Sequence, residues 1–345
     1  MASENLLYLP FLLCLGAGLL IWPQEISRAV SDGLLLCGST VLPSLFPFMV
    51  LSSLFVELGL PQLLSRPLGR LMGPLFRVGG AGASAWVLGL TGGYPIGAKT
   101  VAQLYRAGLC TKDEACRLLT FCNNCGPAFI VGAVGCGLLH SRNSGFLLYG
   151  IHAVSSLIIG ILFRFWGGSD RIGPSDPPPV KSLSFSRSLT LSVQASLRAC
   201  LNITAFILCF SALLRLMELS GAAGCIAGFL QRLPLGLEPR QAQGLTAGFL
   251  EFSSGIFRLT DGDLSAIAFL LGWGGLSVHC QTAAILADSG LPEWPCLIGK
   301  LLQAFVSASL VRVLLCQPGT PCILLFLLPV PAILLFRKIL WQNPA

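Results

Sequence analysis

Charge is what this chain has least of. Only 11% of its 345 residues are Asp, Glu, Lys or Arg, where a soluble domain carries roughly a quarter. With 54% hydrophobic residues and a mean hydropathy of +0.78, that shortage excludes a soluble globular domain and leaves a polytopic membrane protein. A phosphate-binding loop for ATP is missing too, so any transport is passive or driven by an ion gradient. The 3 His form no HExxH, and no nucleophile, base and orienting group stand at useful spacing, which argues against an enzyme. The net charge of +7 comes without the basic helix or aromatic pattern of a nucleic-acid reader, so Lys and Arg read as topology signals. The N-terminal MASENLLYLPFLLCLGAGLLIWPQ lacks the basic start and small-residue cleavage site of a signal peptide, and reads as a retained first span, Leu6 to Trp22. The 14 Cys are scattered, many of them (Cys14, Cys37, Cys200, Cys209, Cys225) inside apolar runs, where they serve as small hydrophobes rather than a disulfide framework.

The most informative stretch is Gly89 to Cys136. It holds two apolar segments interrupted by residues a straight membrane helix avoids: Gly92, Gly93, Tyr94, Pro95 and Gly97 in the first, Asn123, Asn124, Gly126 and Pro127 in the second. Backbone freed from helical bonding inside a bilayer is tolerated only where protein buries it or it lines a wet cavity. Discontinuous helices of this kind build the midplane sites of secondary transporters.

Along the chain, Gly33 to Val56 is an uncharged run long enough to span, Leu60 to Arg77 an interfacial amphipathic stretch, and Val78 to Ala98 a re-entrant hairpin. Thr111 and Glu114 have the spacing of a capping box, so a helix starts there and runs into a span from Leu118 to Leu139, broken at the Asn pair. Ser144 to Phe163 is a further span. Gly167 to Lys181 is the clear linker. Spans at Ala199 to Leu219, Leu264 to Ala287, Pro295 to Leu315 and Cys322 to Phe336 follow, with a glycine-containing run, Gln241 to Ile256, among them.

The two halves share a layout. Gly89 to Lys99 aligns with Gly248 to Arg258 at a shift of 159 positions, and His152 to Arg164 with Lys300 to Arg312 at a shift of 148. Three spans and one hairpin per copy make an odd number of crossings, so the copies must be inverted. With the N-terminus inside, fourteen basic residues then fall inside and five outside, as the positive-inside rule requires. The expected fold is an all-α polytopic membrane protein, transporter-like, an inverted repeat of broken helices and re-entrant hairpins. Its segments are 1–32 (first span and loop), 33–166 (first repeat), 167–187 (polar linker), 188–338 (second repeat) and 339–345 (tail).

GYPIGAK (Gly93 to Lys99), FCNNCGP (Phe121 to Pro127) and GGLSVHCQ (Gly274 to Gln281), in this order and spacing, resemble the YlbJ-type sporulation membrane proteins. These carry the nucleoside-recognition Gate domain also found in concentrative nucleoside transporters and ferrous-iron permeases. The resemblance covers nearly the whole chain. It implies a multi-pass protein of the cell membrane or the mother-cell-derived outer forespore membrane that moves dipicolinic acid during sporulation. One departure is Cys125, where the pattern calls for Ser, giving a Cys122-x-x-Cys125 pair. A lone pair supplies only half of a tetrahedral site, so no metal and no cofactor are expected.

The candidate substrate-binding residues are Tyr94, Lys99, Asn123, Asn124, Ser253, Ser254, Arg258, Ser277 and Gln281. Glu251 and His279 are candidates for coupling to an ion, because an intramembrane ionisable residue is a functional hypothesis by default. Gly93, Pro95, Gly97, Gly126, Pro127, Gly274 and Gly275 supply the broken backbone. Each has a plainer reading. The Asn pair can bridge helices, Lys99 and Arg258 can be interfacial anchors, Glu251 can pair with Arg258, and His152 reads as a packed histidine. The functional alternatives are a nucleoside or nucleobase transporter and a non-transporting sporulation scaffold or assembly factor. The partners expected are the bilayer and a small anion.

Overall fold

The computed structural model describes residues 15–58, 60–167, 184–260 and 263–315. The expected span Cys322 to Phe336, the tail, most of the linker and most of the first span lie outside the described residues.

Three helices come first: α1 (Pro23–Leu36), α2 (Leu42–Glu57) and α3 (Leu60–Phe76). The uncharged run expected to span, Gly33 to Val56, is bent by 55° within its length, and its helix begins ten residues earlier, at Pro23. The cause lies in the chain. Residues Cys37–Val41 wind wide, and Pro43 and Pro47 bring no N–H to α2. Next come α4 (Gly82–Gly92) and α5 (Ile96–Arg106), then α6 (Lys112–Phe121), the wide-wound α7 (Ala128–Leu138) and the long α8 (Arg142–Leu162). The second half brings α9 (Phe185–Leu219), α10 (Ala222–Arg232), α11 (Pro239–Leu250), the short α12 (Phe252–Ile256), α13 (Leu264–Trp273), α14 (Gly275–Ala287) and α15 (Trp294–Leu314). No strand occurs among the described residues. Among the described residues four helices are long and apolar enough to cross a membrane, or five if the bent α1–α2 pair is one span.

The order hairpin, broken helix, long helix occurs twice: α4–α5, α6–α7, α8, and then α11–α12, α13–α14, α15. Neither hairpin crosses a bilayer. At 1.5 Å per residue the 11-residue limbs α4 and α5 are roughly 16 Å long, half the hydrocarbon thickness. Each folds back on a glycine pair. A Cβ on Gly89 would lie 3.3 Å from the Gly97 Cα, and one on Gly255 would lie 2.2 Å from the Gly248 Cα. Lipid tails are as apolar as leucine, so helices in a bilayer gain little from burial alone and are drawn together by such close backbone approach.

Two apolar clusters show that the copies are inverted. One gathers α4, α5 and α6 with the end of α8 (Ile159, Phe163), the start of α15 (Cys296, Leu302) and Leu286 of α14. The other gathers α7, α12 and α13 with the start of α8 (Leu148, Ile151) and the end of α15 (Val311). Helices α8 and α15 therefore traverse the two clusters in opposite directions. Each broken helix begins beside its own hairpin and ends beside the other. Around this core, α9 packs along α1 and α2. Its 35 residues make it roughly 50 Å long, well beyond the hydrocarbon core, and it starts at Phe185 rather than at Ala199 as expected, inside the segment assigned to the linker.

The capping box at the entrance to α6 forms as its spacing implies: the Glu114 N–H donates to the Thr111 hydroxyl, and the Thr111 N–H to the Glu114 carboxylate at 2.8 Å. Glu114 also accepts from the Gly79 N–H at 2.7 Å. Buried Arg117 donates to the Arg77 and Trp166 carbonyls at 2.8 and 2.6 Å. These charges close the outer end of the first hairpin cluster.

Candidate functional site

The site grows out of backbone that cannot stay helical. Gly93 has φ +78 and Pro95 cannot donate, so α4 ends and α5 restarts across a tip carrying Tyr94. Residues Cys122 to Pro127 separate α6 from α7. Glu251 is extended between α11 and α12, and Gly274 and Gly275, at φ +82 and +79, separate α13 from α14.

Side chains from other elements take up the groups these breaks release. The Cys125 N–H donates to His152 Nε2 at 3.1 Å, and the Phe121 carbonyl accepts from Asn124 Nδ2 at 2.7 Å. Tyr149 donates to the Leu90 carbonyl at 3.2 Å, Tyr94 to the Leu271 carbonyl at 3.1 Å, and Trp273 Nε1 to the Phe249 carbonyl at 2.9 Å. Glu251 turns its carboxylate back onto the Ser253 and Ser254 N–H groups at 3.1 and 2.6 Å, capping α12. An unpaired backbone group here would cost several kcal/mol. Much of the buried polarity therefore keeps the breaks in place.

Both tips and both breaks converge. A Cβ on Gly93 would stand 3.0 Å from the Gly126 N, one on Gly275 2.8 Å from the Phe252 N, and one on Gly274 3.0 Å from the Tyr94 hydroxyl. The Tyr94 and Phe252 rings meet edge to face at 6.1 Å, and Phe252 lies 4.8 Å from Phe129. These aromatic rings wall a cleft of about 680 Å³ whose opposite side is formed by α2 and α9, through Met49 and Ile207 among others. Ser277 and Gln281 line it, and neither has a hydrogen-bond partner among the described residues.

Of the residues expected from sequence, the cleft lining contains Tyr94, Gly93, Gly126, Glu251, Ser253, Ser277 and Gln281. Asn123 and Asn124 lie one layer behind. Asn123 Nδ2 donates to the Thr282 hydroxyl at 3.1 Å, and Asn124 Oδ1 accepts from Gln303 at 3.1 Å. Pro95, Gly97 and Pro127 shape the turns. Ser254 lines a separate vestibule of about 870 Å³, bounded by Glu25, Arg28, Arg215, Glu218 and Arg258. His279 packs its ring 4.4 Å from Trp273, outside the cleft lining.

The two expected cations are elsewhere. Lys99 is exposed on α5, and Arg258 pairs with Glu218 at 2.7 Å, not with Glu251, which is occupied in capping α12. A different set of polar residues was overlooked: Lys300, Gln303 and Ser307 on one face of α15, facing His152 and Ser155 of α8. Gln303 Nε2 bonds the His152 carbonyl at 3.1 Å, and the Ser155 and Ser307 hydroxyls meet at 2.8 Å. The signal was there, since spacings of three and four put these residues on one helix face, and the repeat alignment set His152 opposite Lys300. Cys122 and Cys125 are buried free thiols, and no group of three or more metal-ligating side chains stands together among the described residues.

The comparisons with known proteins agree with this architecture. The Gate family model, described as nucleoside recognition, matches residues 39–167, from the bend between α1 and α2 to just past α8. Over 337 residues, covering 90% of this chain and 83% of the relative, the sequence is 30% identical to the sporulation integral membrane protein YlbJ of Bacillus subtilis (strain 168). The chain belongs to the YlbJ family of sporulation integral membrane proteins.

Proposed function

We propose that the protein is a secondary transporter of a small aromatic anion, dipicolinate first among candidates, with the cleft as its solute site. The observation that carries this reading is the convergence of two re-entrant tips and two helix breaks on one aromatic-walled cleft. Tyr94, Phe129 and Phe252 offer ring faces and edges for a planar heterocycle, and Ser277 and Gln281, without side-chain partners among the described residues, offer hydrogen bonds. Glu251 lines the cleft while its capping partner Ser254 faces the charged vestibule. The single turn of α12 thus lies between the two spaces, and its displacement would open the cleft on that side. Alternating access then follows from one inverted repeat moving against the other, with Glu251 as the candidate coupling group and no need for ATP.

The test is uptake of labelled dipicolinate into proteoliposomes under imposed ion gradients, with uridine in parallel, for the wild type and Ser277→Ala/Gln281→Leu. Dipicolinate uptake that falls at least roughly tenfold in the variant supports the reading, each lost hydrogen bond contributing about 1 kcal/mol. The name of the matching family and the neutral hydrogen-bonding pair favour a second reading, nucleoside transport, and uptake of uridine alone would select it. If a folded wild type moves neither solute under any gradient, a scaffold role in sporulation takes its place.

A further inference from the structure

Among the described residues two Lys or Arg side chains are buried, Arg117 and Lys300. Arg117 is held by two carbonyls at the end of a helix pair. Lys300 lies in the middle of the polar layer, 1% exposed, and makes no ion pair among the described residues. Its ammonium has three N–H groups to satisfy. One donates to Gln303 Oε1 at 2.6 Å. Gln303 is fixed in that pose because its Nε2 is already committed to Asn124 and the His152 carbonyl. The ammonium also faces the Tyr94 ring, whose centroid lies 5.1 Å from Nζ.

Tyr94 lines the cleft. Its ring is therefore the partition between the solute space and the uncompensated cation. Tyr94 sits at the hairpin tip after Gly93, at φ +78, and is tethered through one hydroxyl bond to Leu271. Gly274, beside that hydroxyl, carries no side chain to block its path.

We infer that Lys300 is the counter-ion for an anionic group of the solute, a carboxylate or a group of like charge, which reaches it when the Tyr94 ring swings out of the partition. A buried ammonium with no counter-ion is poorly stabilised, and an anion arriving with its own charge offsets that cost. This role replaces the one expected of Lys99 and Arg258, and it rests on reading the cleft as a solute site.

The experiment is equilibrium binding of labelled dipicolinate, with uridine as the neutral probe, to the purified full chain and to Lys300→Met, Lys300→Gln and Lys300→Arg. Loss of one charge-assisted contact predicts roughly 100-fold weaker dipicolinate binding in Lys300→Met, partial recovery in Lys300→Arg and an unchanged or higher melting temperature. Lys300→Gln gives the same reading should the methionine variant not fold. Dipicolinate bound to a folded neutral variant within about threefold of wild type overturns the role of Lys300 and leaves the transporter reading standing. A wild type that binds uridine alone, or neither probe, overturns both the role of Lys300 and the anion-transport reading.

Discussion

Gly97→Ala tests the close packing that makes the first hairpin possible. Gly97 lies on the first turn of α5, directly against the break after α6, and a Cβ there would stand 1.9 Å from the Cys122 carbonyl oxygen, 2.6 Å from its carbon and 3.0 Å from the Asn123 Cα. Ordinary contact between a methyl carbon and an oxygen is about 3.2 Å, so the α5 limb must retreat by about 1.3 Å. Every obstructing atom is backbone, and no rotamer change relieves the clash. Overpacking costs typically 1–3 kcal/mol, and this site belongs at the upper end, about 3 kcal/mol. The retreat also carries the tip, and Tyr94 with it, away from Gly126 and Gly274. Gly150→Ala is the control: it lies on α8 with nothing within 4 Å of a built Cβ, and replacing a helix-interior glycine there is expected to stabilise by roughly 0.5–1 kcal/mol. Reversible unfolding in mixed micelles compares the two variants, and proteoliposome uptake reads the tip. Gly97→Ala as stable and as active as Gly150→Ala would refute the packing argument.

The other predictions touch separate parts of the molecule. Thr282→Val removes the stronger of two acceptors of Asn123 Nδ2, leaving only the Cys296 Sγ at 3.6 Å, while Asn123 Oδ1 already has no partner among the described residues, and should destabilise by about 1–3 kcal/mol in the same unfolding assay. Arg117→Ala leaves the Arg77 and Trp166 carbonyls without their charged donor, and a loss of about 3 kcal/mol is expected, read as faster proteolysis of the loops around Arg77 and Trp166. Arg258→Ala breaks an ion pair whose arginine is 43% exposed, so no more than about 1 kcal/mol should be lost. Uptake by Arg258→Ala and Lys99→Ala should match the wild type, and a collapse in either would return that cation to the site.

Local chemistry was legible in the sequence wherever a residue type dictates its own backbone. Gly93, Pro95, Gly126 and Pro127 break helices, and the structure breaks there. Thr111 and Glu114 form the box their spacing implies. The second hairpin was legible through the alignment of Gly248 to Arg258 with Gly89 to Lys99, though not the turn at Glu251 or the approach of Gly255 to Gly248 that closes it. What the sequence hides is which distant side chain meets each freed backbone group. His152 reaches Cys125, Tyr149 reaches Leu90 and Tyr94 reaches Leu271 across 27, 59 and 177 positions, and no local pattern encodes such pairs. The same blindness misplaced the cations. Lys99 and Arg258 end the two hairpins and looked like partners for an anion, yet a limb end lies far from its tip, while Lys300 on the neighbouring long helix sits level with the tips. The run from Gly33 to Val56, read as long enough to span, is bent within its length: hydropathy measures length and is blind to a wide turn followed by prolines.

The measurement that tests the central claim most directly is solute protection of a thiol placed in the cleft. Ser277→Cys is treated with a small thiol reagent in the presence and absence of dipicolinate or uridine, and modification at position 277 is read by peptide mass spectrometry beside the native Cys136, which is exposed on α7 outside the cleft lining. The account predicts that the transported solute slows modification at 277 and leaves Cys136 unchanged. A solute that is transported yet leaves position 277 unprotected would contradict it, because the path would then run outside the cleft between the hairpin tips.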